Sequence, residues 1–116
     1  MIEIKGKVVP GKGEARQLGY PTANIEYSSS LSPEAGVWVC RIEGKGNGLA
    51  VMGMWLQANG LPSLEVHILD FEGNLYEQEL EVTLEKKIRD LMPFTNGNDL
   101  VKQIENDVQQ AREYFG

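Results

Sequence analysis

The chain has 116 residues, enough for one domain with a single modest core and too few for two. Eleven Lys and Arg against seventeen Asp and Glu give a net charge of −6. That acidic balance argues against general affinity for nucleic acid, because basic side chains that neutralise phosphates supply most of such binding. We therefore expect one globular domain over residues 1–116 that has no nucleic-acid partner.

The same counts bear on location and on metal chemistry. No apolar run approaches the roughly 20 residues that cross a bilayer, and the first five residues lack the basic stretch and apolar core of a secretory signal. Cys40 and His67 are the only residues of their kinds, which excludes an internal disulfide and a zinc-ligand cluster and disfavours nucleophilic hydrolysis. These features predict a soluble, cytoplasmic protein with no membrane partner, and we expect a monomer.

Short apolar stretches separated by glycine-rich turns predict strands in the first part of the chain. One stretch runs from Ile2 to Val9 and ends at Pro10, which has no N–H to donate to a neighbouring strand. Residues 37–42 are rich in β-branched and aromatic side chains, and residues 49–54 form a further apolar run. Short strands at about ten-residue spacing favour a small antiparallel barrel.

Two later segments alternate apolar and polar residues, the period that gives a strand two distinct faces. In residues 64–68 the alternation places Glu65 and His67 on the side opposite the apolar residues. Residues 79–85 carry glutamates at alternate positions, which we interpret as a solvent-facing side. The connector at residues 70–74 is typical of a hairpin turn, and we predict that these two strands pair antiparallel.

The C-terminal segment changes to a helical period. Its apolar residues recur at three- and four-residue steps and are Leu100, Ile104, Val108, Ala111 and Phe115. Asn96 is a suitable N-cap, and Asp99 three residues later supplies the reciprocal carboxylate of a start that resembles a capping box. We predict one amphipathic helix packed on the sheet.

A glycine-rich basic loop follows the first strand and leads into a Pro-Thr-Ala-Asn turn. Its candidate anion-binding residues are Gly11, Lys12, Gly13 and Arg16. Glycines let backbone N–H groups converge on an anion, and the basic side chains add positive charge. Thr22 and Asn24 lie two residues apart, so in an extended segment their oxygens point to one side and are suited to share a Mg²⁺ ion. Judged on these residues alone, a hairpin loop with surface charges stays open as an alternative.

The other candidates have a structural interpretation beside a functional one. Glu65 suits a general base but is also compatible with a solvated strand carboxylate. His67 is interpreted as a hydrogen-bonded structural residue and Cys40 as a small buried one. Trp38 and Trp55 suit either ring stacking or the barrel core.

Several short motifs occur in a fixed order along the chain. They are Gly-Tyr-Pro-Thr-Ala-Asn-Ile (residues 19–25), Pro-Glu-Ala-Gly-Val-Trp (33–38), Glu-Val-His-Ile (65–68), Leu-Tyr (75–76), Ile-Arg-Asp (88–90) with Phe94, and the helical tail from Leu100 to Arg112. In this order they resemble the riboflavin kinase (flavokinase) family, in a monofunctional short form, along almost the whole chain.

The resemblance implies an all-β fold, a six-stranded antiparallel Greek-key barrel with a C-terminal helix. It implies ATP-dependent phosphorylation of riboflavin at the ribityl 5′-hydroxyl to give FMN, with Mg²⁺ or Zn²⁺ accompanying ATP. Thr22 and Asn24 are then the residues that bind the metal–nucleotide, and the glycine-rich loop covers its phosphates. Gly19 and Pro21 of the same motif are further implied nucleotide contacts. Glu65 is the implied general base and a flavin contact, and Arg89 belongs to a mobile segment near the flavin.

Two stretches depart from the family pattern. Glu14 stands where the family has Arg, and Ala15 where it has Gly, which introduces a carboxylate and a Cβ into the expected phosphate loop. Residues 54–63 keep no Pro-Thr pair at the place where the family has one. Two alternatives therefore stay open beside the kinase: a flavin- or nucleotide-binding barrel that has lost phosphoryl transfer, and a kinase of the same fold for another small alcohol.

Overall fold

A computed structural model describes residues 1–9, 22–29, 33–71, 73, 75, 77–93 and 96–116. Within these residues the chain forms six strands and one helix. The strands are β1 (Ile2–Val9), β2 (Ala23–Tyr27), β3 (Gly36–Ile42), β4 (Gly46–Leu56), β5 (Pro62–Ile68) and β6 (Glu79–Arg89), and the helix is α1 (Gly97–Phe115). The strands close into a barrel in the order β1-β2-β5-β4-β3-β6, with antiparallel neighbours throughout the described pairings. The predicted antiparallel barrel with a C-terminal helix is confirmed.

The barrel interior is filled by alternate residues of its strands, as a period of two requires. On β1, Ile4 and Val8 belong to the interior cluster, whereas Lys5 between them is exposed. Gly6 continues the buried series of alternate residues, and a Cβ at that position would lie 2.5 Å from the Glu26 carbonyl oxygen. The glycine thus lets β1 and β2 approach closely where the barrel closes.

A second apolar cluster lies outside the barrel, between α1 and the outer faces of β3 and β4. Its buried members are Val37, Val39, Leu49 and Ala111, with Val51, Leu69, Ile88, Leu91, Val108 and Phe115 packed against them. The helix therefore covers two strands that are apolar on both faces. This explains why residues 37–42 and 49–54 are nearly continuous apolar runs in the sequence.

The start of α1 agrees with its predicted cap. Asn96 has extended backbone, and its side-chain oxygen accepts a hydrogen bond from the Asp99 backbone N–H at 2.9 Å. The Asp99 carboxylate in turn accepts a hydrogen bond from the Asn96 side-chain amide at 3.2 Å. The reciprocal contact is thus made to the side chain of the capping residue. In the part of the chain that the structure describes, no helix is long and apolar enough to span a membrane.

The predicted hairpin between β5 and β6 is wrong. β5 lies between β2 and β4, whereas β6 lies between β1 and β3. After β5 the chain turns away at Asp70, which has a positive φ of 58° and whose carboxylate oxygens accept hydrogen bonds from Arg112 of α1 at 2.8 and 2.9 Å. Turn residues predict a change of chain direction, but both edges of β5 are already taken by other strands.

The prediction of a uniformly solvated acidic side on β6 is wrong at Glu85. Glu79 and Glu81 face solvent, but the Glu85 side chain is only 3% exposed. It accepts a hydrogen bond from Arg41 and another from the Tyr114 hydroxyl near the end of α1. The outer face of β6 is therefore acidic and exposed at one end and covered by the helix terminus at the other.

Candidate active site

Asn24 and Glu65 are direct cross-strand partners in the pairing of β2 with β5. Side chains directly opposite in an antiparallel pair share one face, with Cβ atoms about 4.5–5.5 Å apart. Ala23 and Ile25, the neighbours of Asn24 along β2, belong to the barrel interior. Asn24 and Glu65 therefore lie side by side on the outer face, which brings the predicted metal ligand next to the predicted base.

The strand pairings extend this contact into one row across the sheet. The row consists of Val9 (β1), Asn24 (β2), Glu65 (β5), Val51 (β4), Val37 (β3) and Arg89 (β6). Glu65 thus has an amide on one side and a valine on the other. Arg89 is three strand steps from Glu65 in a closed barrel of six strands, which places the two residues on opposite sides of the barrel.

Asn24 is 5% exposed although it lies on the outer face of the barrel. Thr22, immediately before β2, is partly buried. Asparagine usually remains in water, because an amide buried without partners loses several kcal/mol of hydration, roughly 2–7 kcal/mol by transfer measurements. The face that carries both predicted metal ligands is therefore partly closed to solvent where β2 begins.

Glu65 is partly buried, and it lies between two interior residues of β5. Leu64 and Val66 are 0% and 1% exposed, so the predicted alternation along this strand is confirmed. His67 lies on the same outer face, is partly buried, and pairs in register with Leu49 of β4. Glu65 and His67 both take part in further interactions. Glu65 is thus not a freely solvated strand carboxylate.

The glycine-rich loop lies outside the described residues. The predicted phosphate contacts within it are Gly11, Lys12, Gly13, Arg16, Gly19 and Pro21. The last described residue before the loop is Val9, which pairs directly with Asn24. The chain therefore leaves β1 and enters β2 beside the Asn24–Glu65 pair, and the phosphate-binding role of the loop stays a prediction.

Arg89 makes contacts with α1 that the sequence analysis does not predict. Its Nε and Nη2 atoms donate to the two carboxylate oxygens of Asp107 at 2.9 and 2.8 Å. Gln103 donates to the same carboxylate at 3.0 Å, and Arg89 Nη1 donates to the Asp90 carbonyl oxygen at 3.1 Å. The Arg89 and Asp107 side chains are 16% and 4% exposed, so this bidentate pair is largely desolvated. The ion pair therefore connects the end of β6 to the helix. The flavin contact of Arg89 stays a prediction.

The sequence does not indicate a structural partner for Asp107, although the position of this residue on the helix carries a signal. Asp107 lies three residues after Ile104 and four before Ala111, which places it on the apolar stripe of the helix. A buried carboxylate is costly unless a cation and further hydrogen bonds satisfy it. An acidic residue inside an apolar stripe therefore indicates a buried ion pair, but not which arginine forms it.

Residues 54–63, where the sequence departs from the family pattern, carry β4 into β5 through an ordered turn. The Gln57 backbone N–H donates to the Leu61 carbonyl oxygen at 2.8 Å. Two turn side chains reach β2, because Gln57 Oε1 accepts a hydrogen bond from the Tyr27 backbone N–H at 3.1 Å and Asn59 donates to the Tyr27 carbonyl at 2.9 Å. The altered segment is thus anchored to the strand that carries the predicted metal ligand.

Two of the structural interpretations also agree with the described contacts. Cys40 is fully buried, and burial raises the pKa of its thiol, with a smaller contribution from Glu85. Trp38 packs against the interior cluster, and its indole N–H donates to the Glu34 carbonyl oxygen at 3.0 Å. Both residues thus have a place in the packing of the barrel.

The donor atoms of Thr22, Asn24 and Glu65 suit a hard cation. They offer a hydroxyl oxygen, an amide oxygen and a carboxylate oxygen on or beside one face. Mg²⁺ prefers oxygen ligands and commonly binds through one or two protein side chains together with phosphates and water. Zn²⁺ prefers nitrogen and sulfur ligands. The residues present therefore fit Mg²⁺ better than Zn²⁺.

A family model for riboflavin kinase (flavokinase) matches residues 1–115 of this chain. The bifunctional riboflavin kinase/FMN adenylyltransferase of Haemophilus influenzae is 40% identical over 117 residues, which cover 97% of this chain and 38% of that protein. The enzyme of the same description from Escherichia coli K12 is 38% identical over 118 residues, with the same two shares. The counterpart from Bacillus subtilis is 33% identical over 120 residues, again covering 97% and 38%. The chain thus spans about two fifths of the length of these curated relatives.

Solved structures share the barrel. A Streptococcus pneumoniae protein described as a macrolide-efflux protein superposes with a TM-score of 0.85 and 30% identity, over 95% of this chain and 38% of that one. Riboflavin kinase from Trypanosoma brucei superposes with a TM-score of 0.68 and 24% identity, over 97% of this chain and 78% of that one. With the family model matched over residues 1–115 and the predicted barrel confirmed, this chain belongs to the riboflavin kinase family.

Proposed function

We propose that this barrel transfers the γ-phosphate of ATP to the ribityl 5′-hydroxyl of riboflavin and releases FMN. The proposal concerns the segment that the chain shares with longer relatives, which are described as riboflavin kinase/FMN adenylyltransferases. Riboflavin and ATP are the proposed substrates, and a cytoplasmic monomer is the proposed form of the protein.

The observation that carries the proposal is the cross-strand pair of Asn24 and Glu65. Phosphoryl transfer requires the acceptor hydroxyl to be held in line with a phosphate whose charge is neutralised. The Cβ atoms of such a pair lie about 5 Å apart. The amide oxygen of Asn24 is therefore available to the metal on the same face on which the Glu65 carboxylate is available to the hydroxyl. A barrel that only binds flavin has no evident need for a carboxylate at this position.

In the proposed step, the Glu65 carboxylate accepts the proton of the 5′-hydroxyl as that oxygen attacks the γ-phosphorus. The new O–P bond forms while the bond between the γ-phosphorus and the bridging oxygen breaks, and ADP leaves with the electron pair. General-base catalysis of this kind contributes typically about 10²- to 10⁴-fold. The partial burial of Glu65 supports this role, because a carboxylate with less competing water interacts more strongly with the hydroxyl.

Thr22 and Asn24 are the residues we assign to Mg²⁺ in this function. When bound, the ion would neutralise phosphate charge and orient the γ-phosphate. The chain carries a net charge of −6, so the positive field must be supplied locally. We assign the remainder of that field to Lys12 and Arg16, and to backbone N–H groups of the glycine-rich loop.

For the flavin we propose contacts at Glu65 and at Arg89. Both residues lie in the same cross-strand row, with Glu65 where the ribityl end would react. Glu65 is the proposed contact at the reacting 5′-hydroxyl. Val51 and Val37, which lie between Glu65 and Arg89 in the row, are packed beneath α1, so the Arg89 contact is proposed from the family resemblance and not from the position of Arg89 in the row. The 16% exposure of the Arg89 side chain leaves part of it accessible beside its ion pair with Asp107.

Formation of FMN from riboflavin tests the proposal. The protein is incubated with riboflavin, ATP and Mg²⁺, FMN is followed by HPLC, and riboflavin binding is measured in parallel by fluorescence. We expect FMN to accumulate with ATP and Mg²⁺ present and not after EDTA is added. Riboflavin binding without FMN formation would support a binding barrel instead, and absence of flavin binding would support a different alcohol as substrate.

A further inference from the structure

The strand contact that brings Asn24 beside Glu65 is short. The described pairing of β2 with β5 consists of Ala23 with Val66, Asn24 with Glu65 and Ile25 with Leu64. If the same register continued, Tyr27 would face Pro62. Proline has no backbone N–H, so Pro62 cannot donate a hydrogen bond to the Tyr27 carbonyl oxygen. The end of β2 therefore needs a different donor on this edge.

Two side chains of the turn between β4 and β5 supply the missing contacts. Asn59 Nδ2 donates to the Tyr27 carbonyl oxygen at 2.9 Å, and Gln57 Oε1 accepts from the Tyr27 backbone N–H at 3.1 Å. The Pro62 carbonyl oxygen accepts instead from the Tyr27 hydroxyl at 2.6 Å and from Gln57 Nε2 at 3.2 Å. Both backbone groups of Tyr27 are thus bonded to side-chain amides, and we call these two amides, Gln57 and Asn59, the amide rung.

The turn holds both amides in place. Asn59 Oδ1 accepts from the Leu61 backbone N–H at 3.0 Å, so both ends of this amide are engaged. The Gln57 backbone N–H donates to the Leu61 carbonyl oxygen at 2.8 Å, and the Gly60 N–H donates to the Gln57 carbonyl oxygen at 2.9 Å. These backbone contacts do not use the Gln57 side chain. That side chain can therefore be removed while the turn keeps its own hydrogen bonds.

The direction of the Tyr27 backbone groups also identifies how Asn24 and Glu65 pair. Successive residues of a strand direct their N–H and C=O groups to alternate edges. Tyr27 bonds toward the β5 edge, whereas a Cβ on Gly6 of β1 would meet the Glu26 carbonyl oxygen. By this alternation, Asn24 directs its backbone groups to β1. It therefore faces Glu65 as a non-hydrogen-bonded pair, the type with Cα atoms about 4.5 Å apart and the closer side chains.

We propose that the amide rung is a positioning device that holds the end of β2 against β5 and so keeps Asn24 opposite Glu65. This inference rests on the proposed function, in which Asn24 serves the metal and Glu65 the acceptor hydroxyl. Because a non-hydrogen-bonded pair shares no backbone hydrogen bond, its spacing depends on the bonds on either side of it. The rung acts through this strand contact and lies within residues 54–63, where the sequence departs from the family pattern.

Amide hydrogen exchange tests whether the rung holds the strand. The variant Gln57→Ala removes the acceptor of the Tyr27 N–H. We expect exchange of the Tyr27 and Ile25 amides, which are directed toward β5, to become about tenfold faster, the scale of one lost hydrogen bond. The amide of Asn24, directed toward β1, should exchange at nearly its wild-type rate. Unchanged exchange at Tyr27 and Ile25 in the folded variant overturns the proposal.

Gln109→Ala is the matched control for the loss of a glutamine side chain. Gln109 donates to the Glu113 carboxylate at 3.1 Å on an exposed face of α1, away from β2. Its replacement should leave the exchange of the Tyr27 amide unchanged. Gln57→Glu is the conservative variant, because it keeps a side-chain oxygen that can accept from the Tyr27 N–H. It should restore most of the protection that Gln57→Ala removes.

A double-mutant cycle in kcat tests whether the rung acts on the reaction, at a temperature where all four proteins are folded. Gln57→Ala should lower kcat for FMN formation about tenfold, because a small displacement of β2 misplaces the metal-bound phosphate relative to the base. With Glu65→Gln already present, the same change should lower kcat less than about twofold, since no base is left to misplace. A rung that only stabilises the fold would affect both backgrounds alike, and equal effects would overturn the positioning role.

A second variant covers the case in which Gln57→Ala does not fold. Asn59→Ala removes the donor to the Tyr27 carbonyl oxygen and is measured with the same expected effects. The exchange experiment needs no turnover. If the wild-type protein forms no FMN, the proposed function is contradicted, whereas the exchange rates still decide whether the rung holds β2 against β5.

Discussion

Asn24 of β2 and Glu65 of β5 face each other directly across two antiparallel strands, 41 residues apart in the chain. The barrel order that places β2 beside β5 creates this contact, since neither residue lies near the other along the sequence. The pair combines a 5% exposed amide with a partly buried carboxylate. This relationship is the structural basis of the proposed site, and the first prediction concerns its amide.

Replacing Asn24 by alanine should weaken the use of Mg²⁺–ATP. The variant loses one oxygen ligand of the assigned metal, so we expect kcat/KM for Mg²⁺–ATP to fall by about 10- to 100-fold. Steady-state kinetics at varied ATP with Mg²⁺ in excess measures this change. Ser28→Ala, at an exposed position just beyond the same strand, is the control and should retain activity. Wild-type kinetics in Asn24→Ala would remove the residue from the metal site.

The Arg89–Asp107 pair should be important for stability. Asp107→Asn leaves the largely buried guanidinium without its charged partner, and we expect the free energy of unfolding to fall by about 3 kcal/mol. Urea denaturation measures the loss. In the double variant Arg89→Met/Asp107→Leu no charge is left unpaired, so its loss should be smaller than that of Asp107→Asn alone. A double variant less stable than the single one would contradict this account of the pair.

The Asp70–Arg112 pair should make part of the stability depend on pH. Its hydrogen bonds and the charge of Arg112 lower the pKa of Asp70 below the ordinary value near 4. Because this pKa is lowered, the stabilisation from the Asp70 carboxylate is complete above its unfolded-state pKa and is lost as pH falls through its folded-state pKa. Urea midpoints of wild type and Asp70→Asn should therefore differ at pH 7, and the difference should shrink as pH falls below about 4. Glu43→Gln, which changes an exposed turn carboxylate, is the comparison variant. A wild-type to Asp70→Asn difference that does not shrink at all as pH is lowered from 7 through the acid range would contradict the assignment.

Cys40 should report on opening of the barrel. Burial raises the pKa of its thiol, and the thiolate is the form that attacks disulfide reagents. We expect Ellman's reagent to react slowly with the native protein at pH 8 and rapidly in urea. The raised pKa also predicts that stability falls as pH rises above about 8.5, where the unfolded thiol ionises first. Reaction of native Cys40 at the rate of a free thiol would show that the barrel opens readily.

Local patterns in the sequence were sufficient for much of the fold. The alternation around Glu65 predicts the outward direction of that side chain, and the spacing of apolar residues predicts α1 with Asn96 at its start. These features depend on residues close together in the chain. The structure agrees with them because burial of one face is a local requirement of a strand or helix.

Pairings between distant residues could not be derived in the same way. The turn residues after β5 predict a hairpin with β6. Which strand lies beside which, however, depends on the order of all six strands in the barrel. The contacts of Arg89 with Asp107 and of Glu85 with Tyr114 depend on where α1 packs, which the helix period alone does not specify. The sequence thus predicts Glu65 as a candidate site residue, whereas the strand order is needed to identify Asn24 and Val51 as its cross-strand partners.

The turnover of Glu65→Gln tests the central claim most directly. Glutamine keeps the size of the side chain and removes its capacity to accept the hydroxyl proton at neutral pH, so kcat for FMN formation should fall by at least about a hundredfold. Glu81→Gln changes an exposed glutamate on β6 in the same way and should retain wild-type turnover. Folded Glu65→Gln protein with kcat within about threefold of wild type, well below the usual size of a general-base effect, would contradict the assignment of Glu65 as the base.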